Sequence, residues 1–165
     1  KKMQFTQLLI SLIAFNFIRK VSADSVEFDL LSIFSGSVLQ YASISPNENN
    51  ILQAGSSKYS TGVITDEGFF KIDNSSYVYI NDNKQYAVTQ NKDDAVSGFS
   101  IKNSNVNFKY PFAAHNQTNG WILYSENQSP KDIGIAIGAI TPNGSFAPDF
   151  PTHENKITTT TLSPA

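Results

Sequence analysis

The apolar residues between Val26 and Ile140 recur at every second position or in short runs, and this spacing constrains the fold most strongly. Runs such as Phe28–Ile33, Val38–Ile44 and Trp121–Tyr124 are rich in β-branched and aromatic side chains. Clusters of Gly, Asn, Asp and Ser separate the runs about every eight to twelve residues, as in antiparallel strands joined by tight turns. After the first 23 residues, no segment keeps the i, i+3, i+4 apolar spacing of a helix for three turns. The sequence therefore predicts an all-β, antiparallel domain with almost no helix.

A faint internal repeat bears on the architecture. The stretches 62–88 and 98–124 each begin with a short strand that ends in Ile64 or Ile101, followed by a polar turn and an aromatic strand. A more diverged copy runs from Phe28 to Leu52, and the period is about 35–37 residues, a spacing at which repeats decide the architecture. Three units of about four strands favour a barrel resembling a β-trefoil, with a two-sheet β-sandwich as the alternative.

Cysteine is absent from the chain, whereas phenylalanine occurs 12 times and tyrosine seven times. Disulfides, thiol nucleophiles and zinc–thiolate sites are therefore excluded, and stability must come from an aromatic core and backbone pairing. Phe99 is predicted at the centre of this core, because it follows the Gly98 turn and alternates with Ile101. The net charge of −2 and the lack of a basic patch argue against nucleic acid as a partner.

The first 23 residues have the layout of a secretory signal peptide, predicted to form a helix. Lys1 and Lys2 precede an apolar run that is shorter than the roughly 20 residues of a membrane-spanning helix, and small residues lead to Ala23. We expect residues 24–141 to form the β-domain. Residues 142–165 are rich in Pro and Thr and are predicted to be a linker, the start of a Ser/Thr stalk.

Four N-x-[ST] sequons become usable glycosylation sites in a secreted chain. They predict glycans on Asn74, Asn116, Asn127 and Asn143.

Candidate catalytic groups are sparse, and the sequence predicts neither an enzyme, nor a cofactor, nor a metal site. His115 is predicted in a loop, without a nucleophile elbow of the G-x-S-x-G kind to serve. The acidic pairs 66–67 and 93–94 fall in polar turns, where solvated acids are expected. No calcium-loop spacing of acidic residues occurs.

Aromatic side chains near Asn-rich turns allow a second hypothesis, in which exposed rings contact a glycan. The candidates are Tyr79 and Trp121, with Tyr77, Tyr86 and Tyr124 in similar positions. The favoured interpretation is that Trp121 and most of these tyrosines belong to the core or to the cap of the barrel.

Several motifs resemble those of small secreted mannoproteins of yeast cell walls, especially the GPI-modified wall proteins of the Candida group. They are Phe28–Ser37, Val63–Gly68, Gly98–Asn103 and Phe112–Ala114. The chain departs from that pattern where related members carry cysteines, and residues 142–165 do not match the GPI signal that the pattern would lead us to expect.

The resemblance implies a structural, non-catalytic, glycosylated protein at the cell wall or cell surface. It also implies cell-wall polysaccharide as the partner, with covalent linkage through a GPI remnant and membrane contact only through a GPI anchor. A lectin-like adhesion module is the alternative function.

Overall fold

A computed structural model describes residues 23–152, and in this part of the chain twelve strands and one 3-10 turn, Lys92–Asp94, form without any α-helix. The strands are β1 (Phe28–Ile33), β2 (Ile44–Pro46), β3 (Leu52–Ala54), β4 (Thr61–Ile64), β5 (Phe70–Ile72), β6 (Ser76–Ile80), β7 (Tyr86–Thr89), β8 (Ser100–Lys102), β9 (Asn105–Asn107), β10 (Phe112–Gln117), β11 (Gly120–Tyr124) and β12 (Ile133–Ile140). All strand pairs are antiparallel, so the predicted all-β class is confirmed. The predicted signal helix lies outside the described residues, as do residues 153–165. Across residues 23–152, no helix has the length and apolar character needed to span a membrane.

The strands form one sheet in the order β2-β3-β11-β10-β12-β1-β4-β5-β6-β7, with β9 paired to β12 and β8 paired to β9. Isolated bridges join the β7 end to the other end of the sheet, between Ile51 and Ala87 and between Gln85 and Tyr124. The Ser125 N–H also donates to the Lys84 carbonyl at 2.8 Å. The antiparallel sheet is thereby nearly closed into a barrel, which leaves few unpaired backbone edges.

The core lies inside this sheet and is built around aromatic rings. Phe28, Phe70 and Phe99 are fully buried. Phe99 stacks on Phe108 with ring centroids 4.0 Å apart, and it meets Phe70 edge-on at 5.4 Å. The predicted central position of Phe99 is confirmed, and it shows how a chain without cysteine obtains a continuous core.

One predicted strand is wrong. In the segment Val38–Ile44, only the end belongs to a strand, because residues 35–41 form turns before β2 begins. Tyr41 has a φ of 61°, a left-handed conformation that no strand accommodates, and Val38 is 81% exposed. The alternation was misleading because Leu39 alone of the first four residues of this run is buried.

The chain continues to pack against the barrel beyond residue 141, where the linker was predicted to begin. Ala147 is buried, and its N–H donates to the Ala139 carbonyl at 3.0 Å. Phe150 and Ile101 exchange two backbone hydrogen bonds of 2.8 and 2.9 Å. Residues 142–150 therefore cover part of the barrel in the described structure.

Candidate functional site

All four predicted glycosylation asparagines have exposed side chains. Asn74 lies in the turn between β5 and β6 with a φ of 59°, which Asn tolerates better than most residues. Asn116 lies on β10, Asn127 between β11 and β12, and Asn143 in the turn after β12. The geometry leaves each side chain accessible to a glycan, while glycosylation itself stays a prediction.

The two predicted glycan-contact residues lie apart in the fold. Tyr79 is half-buried on β6, which pairs with β5 and β7, whereas Trp121 lies on β11, which pairs with β10 and β3. Trp121 packs against the core cluster along part of its ring. The fold therefore does not place these two side chains on neighbouring strands.

The other tyrosines considered for glycan contact are mostly internal. Tyr86 is fully buried, with its ring 4.8 Å from that of Phe112, and Tyr124 is 8% exposed. Tyr77 is half-buried and meets Phe69 edge-on. The favoured interpretation of these rings as structural is confirmed for Tyr86 and Tyr124.

A cleft of about 450 Å³ opens where the chain crosses from β9 to β10, and we call it the Tyr110 cleft. Tyr110 is 45% exposed, and Asn105 and Asn107 alternate along β9 so that their side chains share one face. The cleft is lined by residues that include Lys102, Asn105, Asn107, Tyr110, Gly134 and Ala136.

Contacts with the Tyr86 hydroxyl and the Phe108 ring hold Tyr110 in place. The Tyr86 hydroxyl donates to the Tyr110 carbonyl at 3.3 Å, and burial, together with the nearby Tyr110, raises the pKa of Tyr86. That hydroxyl therefore stays a neutral donor. The Tyr110 ring lies 5.8 Å from the Phe108 ring, and the Lys109 ammonium is 5.2 Å from its centroid.

An exposed aromatic ring beside two carboxamides can bind a sugar. The ring packs against the C–H face of a pyranose, and the amides donate to and accept from its hydroxyls. Sequence reasoning missed this site, although alternating asparagines followed by Lys109, Tyr110 and Pro111 could have indicated it.

Two adjoining polar clefts lie at the end of β2, β3 and β11, with volumes of about 400 and 450 Å³. They share Asn47, Asn49, Gln53 and Asn119. The Gln53 amide nitrogen already donates to the Asn119 carbonyl at 2.6 Å. No aromatic side chain is among the described residues that line them, so they lack the stacking surface that the Tyr110 cleft offers.

His115 lies on β10, not in the predicted loop, and it contacts a buried carboxylate. Its Nδ1 is 2.5 Å from Oδ1 of Asp132, whose side chain is 1% exposed. The Ser129 hydroxyl and backbone N–H also donate to Asp132, each at 3.1 Å, and so does the Gln128 N–H at 2.5 Å. The bond to His115 joins the loop between β11 and β12 to the middle of β10, and the bonds from Gln128 and Ser129 hold Asp132 within that loop.

Burial alone would raise the pKa of Asp132, but the hydrogen bonds from His115, Gln128 and Ser129 outweigh it and hold this pKa below its usual range. The Ser129 hydroxyl donates to the carboxylate and not to the imidazole. In a hydrolytic triad the serine would be bonded to the histidine. The observed arrangement is a structural clasp between a loop and a strand.

The acidic pairs lie in turns, as predicted. Glu67 is exposed and forms an ion pair with Lys92, while Asp93 and Asp94 are exposed in the 3-10 turn. Among the residues that the structure describes, no three His, Asp or Glu side chains are grouped closely enough to hold a metal ion.

The chain has a relative among known proteins that aligns with most of its length. The chain is similar to cell wall protein CWP1 of Saccharomyces cerevisiae, with 37% identity over 150 residues. The aligned region covers 90% of this chain and 62% of that protein, so the chain spans less than two thirds of its relative. No family model matches the chain, and no solved structure matches it. The similarity supports the predicted resemblance at the level of yeast cell wall proteins and does not single out the Candida group.

Proposed function

We propose, from the similarity to a yeast cell wall protein, that this chain is a structural, glycosylated, non-catalytic domain of the cell wall. The 37% identity over 150 residues is the observation that carries the proposal. It also supports the cell-wall or cell-surface location predicted from the sequence. Cell-wall polysaccharide is the proposed partner, with covalent attachment through a GPI remnant and membrane contact only through a GPI anchor.

The fold suits such a role because its stability does not depend on disulfide bonds. The barrel buries its aromatic rings, and the sequon asparagines lie on the outside at four separate positions. Glycans at these positions would surround the domain while leaving its core packing unchanged. A hydrophilic coat of this kind protects exposed backbone from proteases and keeps the domain soluble in a polysaccharide matrix.

Cell fractionation tests this proposal. The protein as the cell produces it, epitope-tagged after residue 24, is expressed in yeast, and walls, membranes, medium and cytosol are separated. We expect recovery in the wall, resistance to detergent extraction and release by β-glucanase. Recovery in the cytosol would overturn the location, and complete extraction by detergent would overturn covalent attachment.

Endoglycosidase treatment tests glycosylation separately. Wild type should shift in mobility, whereas a variant with Gln at positions 74, 116, 127 and 143 should not. Equal mobility of the two proteins before treatment would contradict N-glycosylation.

A lectin-like role is the second candidate, and the Tyr110 cleft is the observation that favours it. We propose that this cleft binds a pyranose of the wall polysaccharides through Tyr110, Asn105 and Asn107. Retention on insoluble β-glucan and mannan should fall for Tyr110→Ala and Asn107→Ala. The matched control is Tyr59→Ala, because Tyr59 is 78% exposed and is not among the residues lining the cleft. Equal retention of all three variants would overturn the binding role.

We also propose that the barrel is trefoil-like. Three hairpins, β2–β3, β6–β7 and β10–β11, recur at similar intervals along the chain. Each of the other six strands pairs with the next in the order β5-β4-β1-β12-β9-β8. The two ends of this series also meet, because the Phe99 N–H next to β8 donates to the Gly68 carbonyl next to β5 at 3.0 Å. An experimental structure whose three units fail to superpose would refute this architecture.

A further inference from the structure

The β10–β11 hairpin places a predicted glycosylation site directly opposite the single tryptophan of the chain. Asn116 pairs with Trp121, and Gln117 pairs with Gly120, so Thr118 and Asn119 form the connection. Directly paired residues in an antiparallel ladder project to the same face, with Cβ atoms about 4.5–5.5 Å apart. The side chains of Asn116 and Trp121 therefore start next to each other on one face of the hairpin.

Trp121 is only partly covered by the rest of the protein. The indole is half-buried, with the core on its inner side. Its partner on the other neighbouring strand is Ala54, whose methyl group covers little of a ring of this size. Asn116, on the remaining side, is exposed.

The other three sequons have a different setting. Asn74, Asn127 and Asn143 lie in turns or loops, outside the paired positions of the ladders. Asn116 alone among the four has an aromatic residue as its cross-strand partner. Attachment at this position would start a glycan within reach of a partly exposed indole.

We propose that an N-glycan on Asn116 packs its first sugar against the indole of Trp121. The inference rests on the proposed glycosylation. In that modification, Nδ2 of Asn116 bonds to C1 of the sugar, the bond from C1 to the diphosphate of a lipid-linked oligosaccharide breaks, and the amide gives up one proton. The C–H face of the N-acetylglucosamine then lies against the electron-rich face of the indole, as the edge of one aromatic ring does against another. Trp121 is thus a platform for the protein's own glycan and not for an external ligand.

Fluorescence of the single tryptophan tests the contact directly. The glycosylated chain, residues 24–165, is purified from yeast and compared in three forms: untreated, trimmed by Endo H to one N-acetylglucosamine, and fully deglycosylated by PNGase F under native conditions. Acrylamide is the quencher, because its neutrality makes it insensitive to the aspartate that PNGase F leaves. We expect the quenching constant to rise about twofold on full removal, since a sugar ring covers about one face of the indole, and to change little on trimming.

Two pairs of variants make the result specific. Asn116→Gln and Thr118→Ala should each show the quenching of the fully deglycosylated protein, while Thr118→Ser, which restores the sequon, should show wild-type quenching. Asn143→Gln, which removes a glycan from a turn, should leave quenching unchanged. Mass spectrometry of the tryptic peptides reports the occupancy of Asn116. An unoccupied Asn116 would overturn the proposed glycosylation there, whereas an occupied Asn116 with unchanged quenching after PNGase F would overturn the contact alone.

Discussion

Phe99 is enclosed by aromatic rings, with Phe108 stacked on it and Phe70 at its edge. We expect Phe99→Ala to lower the free energy of unfolding by about 3–5 kcal/mol, because truncation leaves a cavity that rigid neighbours cannot fill. That loss is a large share of the roughly 5–15 kcal/mol available to a domain, so little folded protein should be secreted. Denaturant unfolding measures the change.

Phe146→Ala is the control for Phe99→Ala, because Phe146 is 74% exposed. This variant should unfold at the wild-type midpoint. A wild-type midpoint for Phe99→Ala as well would contradict its place in the core.

Asp132 is the second residue with a large individual effect. Its carboxylate accepts four hydrogen bonds, from His115, Gln128 and twice from Ser129. In Asp132→Asn, one oxygen becomes a donor that faces other donors, which should cost about 1–3 kcal/mol of stability at neutral pH. Asp82→Asn, in the exposed β6–β7 turn, is the control and should change stability little. Equal stability of the two variants would show that the clasp contributes nothing.

The depressed pKa of Asp132 also sets a pH dependence. Because its folded pKa lies below the unfolded value of about 3.9, this group stabilises the fold fully above that pH. The contribution is lost as the pH falls through the folded pKa. Wild type should therefore lose stability more steeply than Asp132→Asn between about pH 5 and pH 2. Melting curves across this range would contradict the assignment if the two proteins lost stability in parallel.

At the scale of the strand, β4 and β12 contain glycines with opposite surroundings. A Cβ added at Gly62 in β4 would lie 2.8 Å from Phe70 and 2.9 Å from Phe28, whereas at Gly134 in β12 it would meet no atom within 4 Å. β4 can therefore approach the phenylalanines only because it has no side chain at this position.

The two glycines give a matched pair of Gly→Ala variants. Gly62→Ala should destabilise the protein by about 1–3 kcal/mol, because the methyl group overpacks rings that are already buried. Gly134→Ala should be neutral or stabilising by about 0.4–1 kcal/mol, since it reduces the freedom of the unfolded chain. Thermal unfolding of both proteins is the measurement. Destabilisation of Gly134→Ala to the same extent would show that β12 tolerates no side chain there for another reason.

For the whole molecule, the segment after β12 decides how far the folded unit extends. Three backbone hydrogen bonds, one from Ala147 and two exchanged by Phe150 and Ile101, join it to the barrel. A chain ending at residue 141 should be less stable than one ending at residue 152. Each lost bond contributes about 0.5–1.5 kcal/mol. Equal melting temperatures would place the end of the domain at the predicted boundary of 141.

The sequence predicted much of the fold because the informative signals are local. Alternation in Phe28–Ile33 and the turn chemistry around Asp73 and Asn74 reflect the conformations of neighbouring residues, and both segments adopt the expected structure. Val38–Ile44 shows the limit, since its first four residues lie in turns that bury only Leu39.

The candidate site was less accessible to sequence reasoning. Tyr86 and Tyr110 have similar surroundings in the sequence, yet one is fully buried and the other is 45% exposed. The partner of His115 lies 17 residues away in a different element, and no motif links the two. The exposure of a ring depends on which distant strand packs over it, and local spacing carries no such information.

By itself, the sequence determined the antiparallel β class, the need for a core without disulfides and the positions of the four sequons, because period-two burial, composition and tripeptide motifs are properties of short segments. Only the tertiary structure decided the closure of the barrel through the Ile51–Ala87 and Gln85–Tyr124 bridges, the pairing of Asn116 with Trp121 and the exposure of Tyr110. The physical reason is that each of these features joins residues brought together by strand register, and register is set by the packing of the whole barrel.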